Sequence, residues 1–237
     1  MNLLAFDTST DQMSMALQRG RGGDAGRWQH TGPGGAKTST HLIPQIQALM
    51  VQAELRFEQL DAIVFGAGPG SFTGLRTACS VAQGLAYGAR VPVLPVDTLL
   101  AVAEEARAAC GAGDGFQVTA LLDARMDEMY AASYIFEGGQ WTQRLAYSLI
   151  RPENLVWDGV SVLAGNVLAV YASRLTLDAA RYVAALPTAS AMLRLAPALL
   201  AAGGAVSAAQ ALPTYIRDKV AQTTDERAAL KAAAQAV

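Results

Sequence analysis

The sequence predicts an α/β fold made of two related lobes, and three observations carry that prediction. Each half of the chain opens with a strand–turn–strand pattern, Leu3 to Leu17 in the first and Val118 to Phe136 in the second. Each hairpin is followed by short apolar strands interleaved with helical stretches, the alternation of an α/β architecture. Between the halves lies Gly111-Ala112-Gly113-Asp114-Gly115, a glycine-rich run that reads as a linker. A length of 237 residues suits this division, being long for one simple domain and short for two full-sized ones. The expected boundaries are 1–110 for the first lobe, 111–222 for a smaller second lobe and 223–237 for a tail.

The elements follow in order. Leu3 to Phe6 is an apolar run that ends in the polar turn Asp7-Thr8-Ser9-Thr10, after which Met13, Met15 and Leu17 alternate with polar or small residues. That pattern is a β-hairpin. Gly20 to Lys37 reads as loop with one strand around Trp28. Thr38-Ser39-Thr40 offers capping hydroxyls, Pro44 sits in the first turn, and Leu42, Ile46, Leu49, Met50 and Ala53 recur at helical spacing. Ala62 to Phe65 is a buried-type strand running into a glycine-rich turn. A helix then starts between Ser71 and Gly74 and continues to about Gly88, with Leu75, Ala78, Cys79, Ala82, Leu85 and Ala86 on one side. Val91 to Val96 is a strand, and Asp97 or Thr98 caps an alanine-rich helix to about Ala109. In the second half the hairpin turns through Asp123 to Asp127. Strands follow at Leu145 to Ile150 and Ser161 to Ala164, and helices after Pro152, from Asn166, and from Ala189 to Ala202. The tail from Thr223 is alanine-rich and charged, a pattern of either a helix or a frayed end.

Composition removes several function classes. Hydrophobic residues make up 52% and charged residues 16%, against a usual charged share of about 25%. Such a chain buries a sizeable core and is not disordered. No apolar run reaches the ~18 uncharged residues a membrane span needs. A net charge of -2 argues against an autonomous nucleic-acid binder. Cys79 and Cys110 make no disulfide framework, and the N-terminus lacks the basic region of a secretory signal, so a cytoplasmic protein is expected.

Three segments could carry chemistry, and each has a plain structural alternative. Asp7-Thr8-Ser9-Thr10 could grip a phosphate with hydroxyls and backbone N–H groups, the Asp orienting a metal or water, or be an ordinary polar turn. Gly66-Ala67-Gly68-Pro69-Gly70-Ser71, ahead of a helix, could be an anion site at a helix N-terminus, or a tight turn whose glycines allow close packing. It has neither the P-loop lysine nor the Rossmann spacing. Asp123-Ala124-Arg125-Met126-Asp127-Glu128 could be a solvated turn, or Asp123 and Arg125 could meet a partner or pair across an interlobe cleft. Metal and nucleophile signals are absent: His30 and His41 stand eleven positions apart with no acidic cluster between them, and no G-x-S-x-G elbow occurs.

Taken in order, the motifs match a known pattern. Leu4-Ala5-Phe6-Asp7-Thr8-Ser9-Thr10, His41-x-x-Pro44, Gly66-x-Gly68-Pro69-Gly70-Ser71-Phe72-Thr73-Gly74-Leu75-Arg76, Asp123-Ala124-Arg125-Met126-x-Glu128-x-Tyr130 and Pro213-x-Tyr215-x-Arg217 occur along residues 2 to about 222. The chain resembles the TsaB (YeaZ) family. The resemblance implies the actin/sugar-kinase/Hsp70-like (ASKHA) fold, with two lobes each built on a mixed sheet with flanking helices. It implies a role in making threonylcarbamoyladenosine beside the anticodon of tRNAs that read codons starting with A. In that pathway the catalytic relative TsaD and the ATPase TsaE are the implied partners. The chain would dimerise with TsaD, or with itself when alone, and meet tRNA only through the complex.

The resemblance also implies departures from the catalytic relative. TsaD-like chains carry a His-x-x-x-His metal pair after the strand matching Val91–Val96. Here Asp97-Thr98-Leu99-Leu100-Ala101-Val102 holds no imidazole. Asp123-Ala124-Arg125 replaces phosphate-approaching glycines with Cβ atoms and a carboxylate, so Asp7, Thr8, Ser9, Thr10, Gly68, Gly70 and Ser71 read as half of a degenerate nucleotide clamp, and Asp123, Arg125 and Glu128 as an interlobe hairpin. This chain is therefore expected to be non-catalytic and to need no cofactor or metal of its own, ATP and metal belonging to the partner subunits. Its helices are expected to offer His41, Leu42, Ile46, Leu49, Met50, Leu75, Ala78, Cys79, Ala82 and Leu85 to a partner; core burial of the same stripes is the alternative. An active ASKHA phosphotransferase and a glycoprotease-type metalloprotease are the competing activities.

Overall fold

A computed structural model describes residues 1–20, 26–175 and 181–217. Ten strands and five helices build it: β1 (Leu3–Asp7), β2 (Gln12–Arg19), β3 (Gly26–Pro33), α1 (Thr38–Gln52), β4 (Ala62–Gly68), α2 (Phe72–Ala89), β5 (Val93–Asp97), α3 (Thr98–Ala109), β6 (Phe116–Arg125), β7 (Glu128–Glu137), β8 (Gln140–Ile150), β9 (Val162–Gly165), α4 (Leu168–Tyr171), β10 (Tyr182–Ala184) and α5 (Ala189–Ala201). The first sheet runs β3-β2-β1-β4-β5 and the second β8-β7-β6-β9-β10. In both, the central strand pairs antiparallel with the next strand of its hairpin and parallel with the strand that follows the crossover. The two mixed sheets are one topology used twice, as the paired hairpins in the sequence led one to expect.

Alternation along β1 and β4 sorts the first core into two layers. Leu4, Phe6, Ile63 and Phe65 point to the face covered by α1 and α2, where they meet Ile46, Leu49, Ala78 and Ala82. Leu3, Ala5, Ala62 and Val64 point the other way, to α5. The small side chains on that second face let α5 lie close to the sheet, and full burial of each aliphatic side chain contributes roughly 1.5–3 kcal/mol. Asp97 starts α3 by accepting the backbone N–H of Leu99 at 2.9 Å, and Thr188 starts α5 by accepting that of Ala191 at 3.1 Å.

Several expectations are corrected. Helix α5 follows the second sheet in sequence but packs on β1, β2, β4 and β5, while α3 places Leu99, Val102, Ala103 and Ala106 in the core of the second sheet. The chain therefore crosses back between the two sheets. The helix expected after Pro152 is a single 3-10 turn at Pro152–Asn154, and the helix from Asn166 shrinks to the four residues of α4. Strand β8 begins at Gln140 rather than Leu145, and β10 was not foreseen. The tail 223–237 lies outside the described residues. No helix among the described residues is long and apolar enough to cross a membrane.

Candidate functional site

Two regions gather the residues that the sequence singles out: the cleft between the lobes and the outer face of α1 and α2. The cleft forms where β1 and β4 end side by side. Asp7, the last residue of β1, does not point into it. Its carboxyl is buried, with Oδ1 accepting Ser9 N at 3.0 Å and Ser9 Oγ at 2.8 Å, while Oδ2 has no hydrogen-bond partner. Burial pushes its pKa up to about 7, against the lowering effect of the Ser9 bonds. A Cβ at Gly66 would lie 1.9 Å from that bare oxygen, so glycine there makes room for the carboxyl.

The other glycines of the motif serve the same packing. A Cβ at Gly74 would lie 1.8 Å from Thr8 O, and the Thr8 hydroxyl donates to Gly74 O at 2.7 Å. A Cβ at Gly70 would lie 2.6 Å from that of Ser9, and Ser71 N donates to Ser9 O at 2.8 Å. The two polar turns thus lock against each other. Asp7 and Thr8 are used up in the lock, whereas Ser9, Thr10, Gly70 and Ser71 line a cleft of about 280 Å³.

The second lobe supplies the opposite wall through the β6–β7 turn, where Arg125, Met126 and Asp127 are all left-handed, with φ of 61°, 56° and 61°. Asp123 Oδ1 holds that turn by accepting Arg125 N at 2.9 Å and the Tyr171 hydroxyl at 2.8 Å. Burial and the bond to Asp123 push Tyr171 up to about 12. The Arg125 guanidinium lies 3.3 Å from Asp123 and reaches across the cleft to Asp11. Glu128 accepts Arg217 Nη2 at 2.6 Å. The hairpin thus reaches across the cleft through largely exposed side chains, Arg125 to Asp11. Asp11, Asn166, Tyr171 and the contacts of Tyr215 and Arg217 were not foreseen. Asp11 and Tyr171 carry no motif signal, and Asn166 was read only as a helix start, although its Oδ1 accepts Asp123 N at 2.8 Å.

On α1 and α2 the expected partner residues are largely core. Leu42, Ile46, Leu49, Met50, Leu75, Ala78, Cys79 and Ala82 are each at most 4% exposed, because both stripes face the first sheet. Leu85 is half-buried against the same cluster, and exposed His41 has Nδ1 2.8 Å from Lys37 O. These side chains therefore do not form the outer surface. That surface carries Ile43 (42% exposed), Gln47 and Val51 (77%) from α1, with Ser80, Gly84, Tyr87 (83%) and Gly88 from α2. A Cβ at Gly84 or Gly88 would meet nothing within 4 Å, so the middle of this face is flat and open. Residues 26–53 and 62–96, which include both helices, contain no Asp or Glu. Among the described residues no three His, Cys, Asp or Glu side chains gather in a metal-binding group.

The family model described as "TsaD: tRNA N6-adenosine threonylcarbamoyltransferase" matches residues 34–230. The chain is 33% identical over 232 residues to "tRNA threonylcarbamoyladenosine biosynthesis protein TsaB" of Haemophilus influenzae, spanning 93% of this chain and 95% of that protein. The protein of the same name from Escherichia coli K12 is 32% identical, with 93% and 96% spanned. Among solved structures, "YeaZ from Pseudomonas aeruginosa" superposes with a TM-score of 0.80 at 36% identity, covering 91% of this chain and 99% of that one.

Proposed function

The chain belongs to the TsaB (YeaZ) family of tRNA threonylcarbamoyladenosine biosynthesis proteins, and from that premise we propose that it is a non-catalytic subunit which docks the catalytic relative TsaD, with TsaE as third member, through the outer face of α1 and α2. Without TsaD the same face would pair two copies. The observation that carries this reading is the contrast between the two regions. In the cleft, Arg125 and Arg217 are already paired with Asp11, Asp123 and Glu128, so a phosphate would have to displace protein carboxylates. The outer helix face, by contrast, leaves large apolar side chains in water beside two open glycines. Its lack of acidic residues suits a partner with an acidic rim.

The same contrast supports the proposal that this chain needs no nucleotide or metal of its own, with ATP and metal belonging to TsaD and TsaE. Asp97, which stands where the catalytic relative's metal stretch begins, is committed to the N-terminus of α3 and to the Tyr134 hydroxyl. The competing phosphotransferase reading loses its best residue, since the Asp7 carboxyl is turned into the core. Reconstitution of tRNA modification from TsaD, TsaE and a threonylcarbamoyl-AMP synthase tests the proposal. Product is expected only when this chain is added, and full product without it overturns the reading. Ile43→Glu and Gly84→Arg are expected to abolish co-elution with TsaD while leaving the melting temperature of the isolated chain within a few degrees. Undisturbed co-elution of both variants would reject the face.

A further inference from the structure

Two motifs left without a role by the proposed function, Asp123-Ala124-Arg125-Met126-x-Glu128 and Pro213-x-Tyr215-x-Arg217, meet in the structure. After α5 the chain returns along the first lobe as a strap, residues 211–217, and is pinned at short intervals. Ala211 O accepts Gln83 Nε2 at 2.8 Å and Cys79 Sγ at 3.3 Å, both from α2. Thr214 N donates to Ala67 O at 2.7 Å, so close to β4 that a Cβ at Gly68 (φ +125°) would lie 2.5 Å from Thr214 O. The Tyr215 hydroxyl accepts Arg76 Nε at 3.0 Å, and the Arg76 guanidinium lies 3.7 Å above the Phe72 ring, whose centroid is 5.3 Å from that of Tyr215. Two residues on, the strap crosses to the other lobe. The Arg217 guanidinium, 11% exposed, donates to Glu128 Oε2 at 2.6 Å, to Arg125 O at 3.2 Å and to Met126 Sδ at 3.2 Å.

We infer that the strap is a lever that couples the exposed N-terminal end of α2 to the opening of the interlobe cleft. Arg76 is its handle and Arg217 its latch. Arg76 is exposed on α2, and its hydrogen bond and ring contacts are made with Tyr215 of the strap and with Phe72 of its own helix. Tyr215 and Arg217 are separated by at most ~7 Å of chain, and the preceding Thr214 N is pinned to Ala67 O, so the Tyr215 ring helps to set where the strap backbone presents the Arg217 guanidinium. When Arg217 leaves, Glu128 and the carbonyl of the left-handed Arg125 lose their donor, and Asp11–Arg125 remains the ion pair across that mouth of the cleft. A partner that drew Arg76 toward itself would unlatch the cleft from the far side of α2. This biological use rests on the docking reading above; the coupling itself belongs to the isolated chain.

The test is an electron–electron distance measurement in the isolated protein. Spin labels at Gln52→Cys and Gln143→Cys, both exposed and one per lobe, are placed in a Cys110→Ser background and diluted with unlabelled protein. Wild type is expected to give one narrow distance. Arg217→Lys breaks the fork and is expected to add a longer-distance population. Arg76→Ala and Tyr215→Phe are expected to add the same population, raised about tenfold, the effect of losing one hydrogen bond to a charged group. Tyr215→Phe keeps the ring packing, which guards against a general loss of structure. A longer distance in Arg217→Lys with none in Arg76→Ala and Tyr215→Phe overturns the coupling, as does no change in any variant. Failure of TsaD docking would leave these outcomes untouched.

Discussion

Asp7 shows how a residue suited to a phosphate loop can be consumed by its own turn. Its unpaired Oδ2 sits in a space that Gly66 leaves open, and desolvation outweighs the two Ser9 bonds. The consequence is a pH dependence of definite sign. The folded pKa is about 7 against an ordinary 3.8, so between those values the folded state holds the proton more often than the unfolded state does. Stability from this group is therefore greatest at the acid end, falls as pH rises from about 4, and levels off above about 7. A rise of that size is worth roughly 4 kcal/mol across the window. Asp7→Asn removes the titration, so the difference between wild type and variant in urea unfolding should grow steadily between pH 4 and 7 in favour of the variant. Parallel curves would show that the carboxyl is solvated and already charged. Hydroxyl-rich turns give no hint of this in sequence, because Asp-Thr-Ser-Thr is equally suited to gripping a phosphate and to closing on itself.

At the scale of elements, legibility followed length and periodicity. The hairpins, α1, α2, α3 and α5 each repeat their apolar signal several times, and all were read from sequence. Strand β10 has three residues and α4 four, too few for a period to show. The apolar stripes of α1 and α2 were legible but their direction was not. A stripe of Leu42, Ile46 and Leu49 serves a core or a partner equally well, and only the sheet beneath, with Phe6, Met15 and Phe65, decides for the core. The correction yields a sharp contrast within one helix. Ile46→Glu puts an unpaired charge against buried aliphatics and is expected to destabilise the chain by about 3–5 kcal/mol, enough to unfold much of it. Ile43→Glu, three residues away on the outer face, should leave the melting temperature nearly unchanged. Circular dichroism melts of the two variants distinguish the faces, and equal melting temperatures would reverse the assignment.

At the scale of the whole molecule, the exchange of α3 and α5 between sheets makes the lobes depend on each other. Glu104 of α3 is the meeting point. Its carboxylate is 2% exposed yet accepts Arg107 Nε at 2.9 Å and Nη2 at 3.0 Å, Arg194 Nε from α5 at 2.8 Å, and the Trp141 indole from β8 at 3.1 Å. Burial raises its pKa, but the bonds from Arg107, Arg194 and Trp141 prevail and hold it below the ordinary value of 4.5. The stabilisation from this group is therefore present above that value and lost as pH falls through the lowered pKa. One carboxylate thus ties a helix of the first half, a helix of the second half and a strand of the second sheet. Two lobes joined only by a linker would unfold separately, whereas lobes that share helices and this charged centre should unfold together. Urea unfolding followed by backbone circular dichroism and by tryptophan fluorescence is expected to give coincident transitions. Glu104→Gln removes the anion that Arg107 and Arg194 share, while Arg194 keeps Glu105 at 2.7 Å, and should lower both midpoints in step, by roughly 2 kcal/mol in stability. A variant in which the fluorescence transition separates from the backbone transition would mean that the lobes are held by the linker alone, and that the crossing of α3 and α5 contributes little to their cohesion.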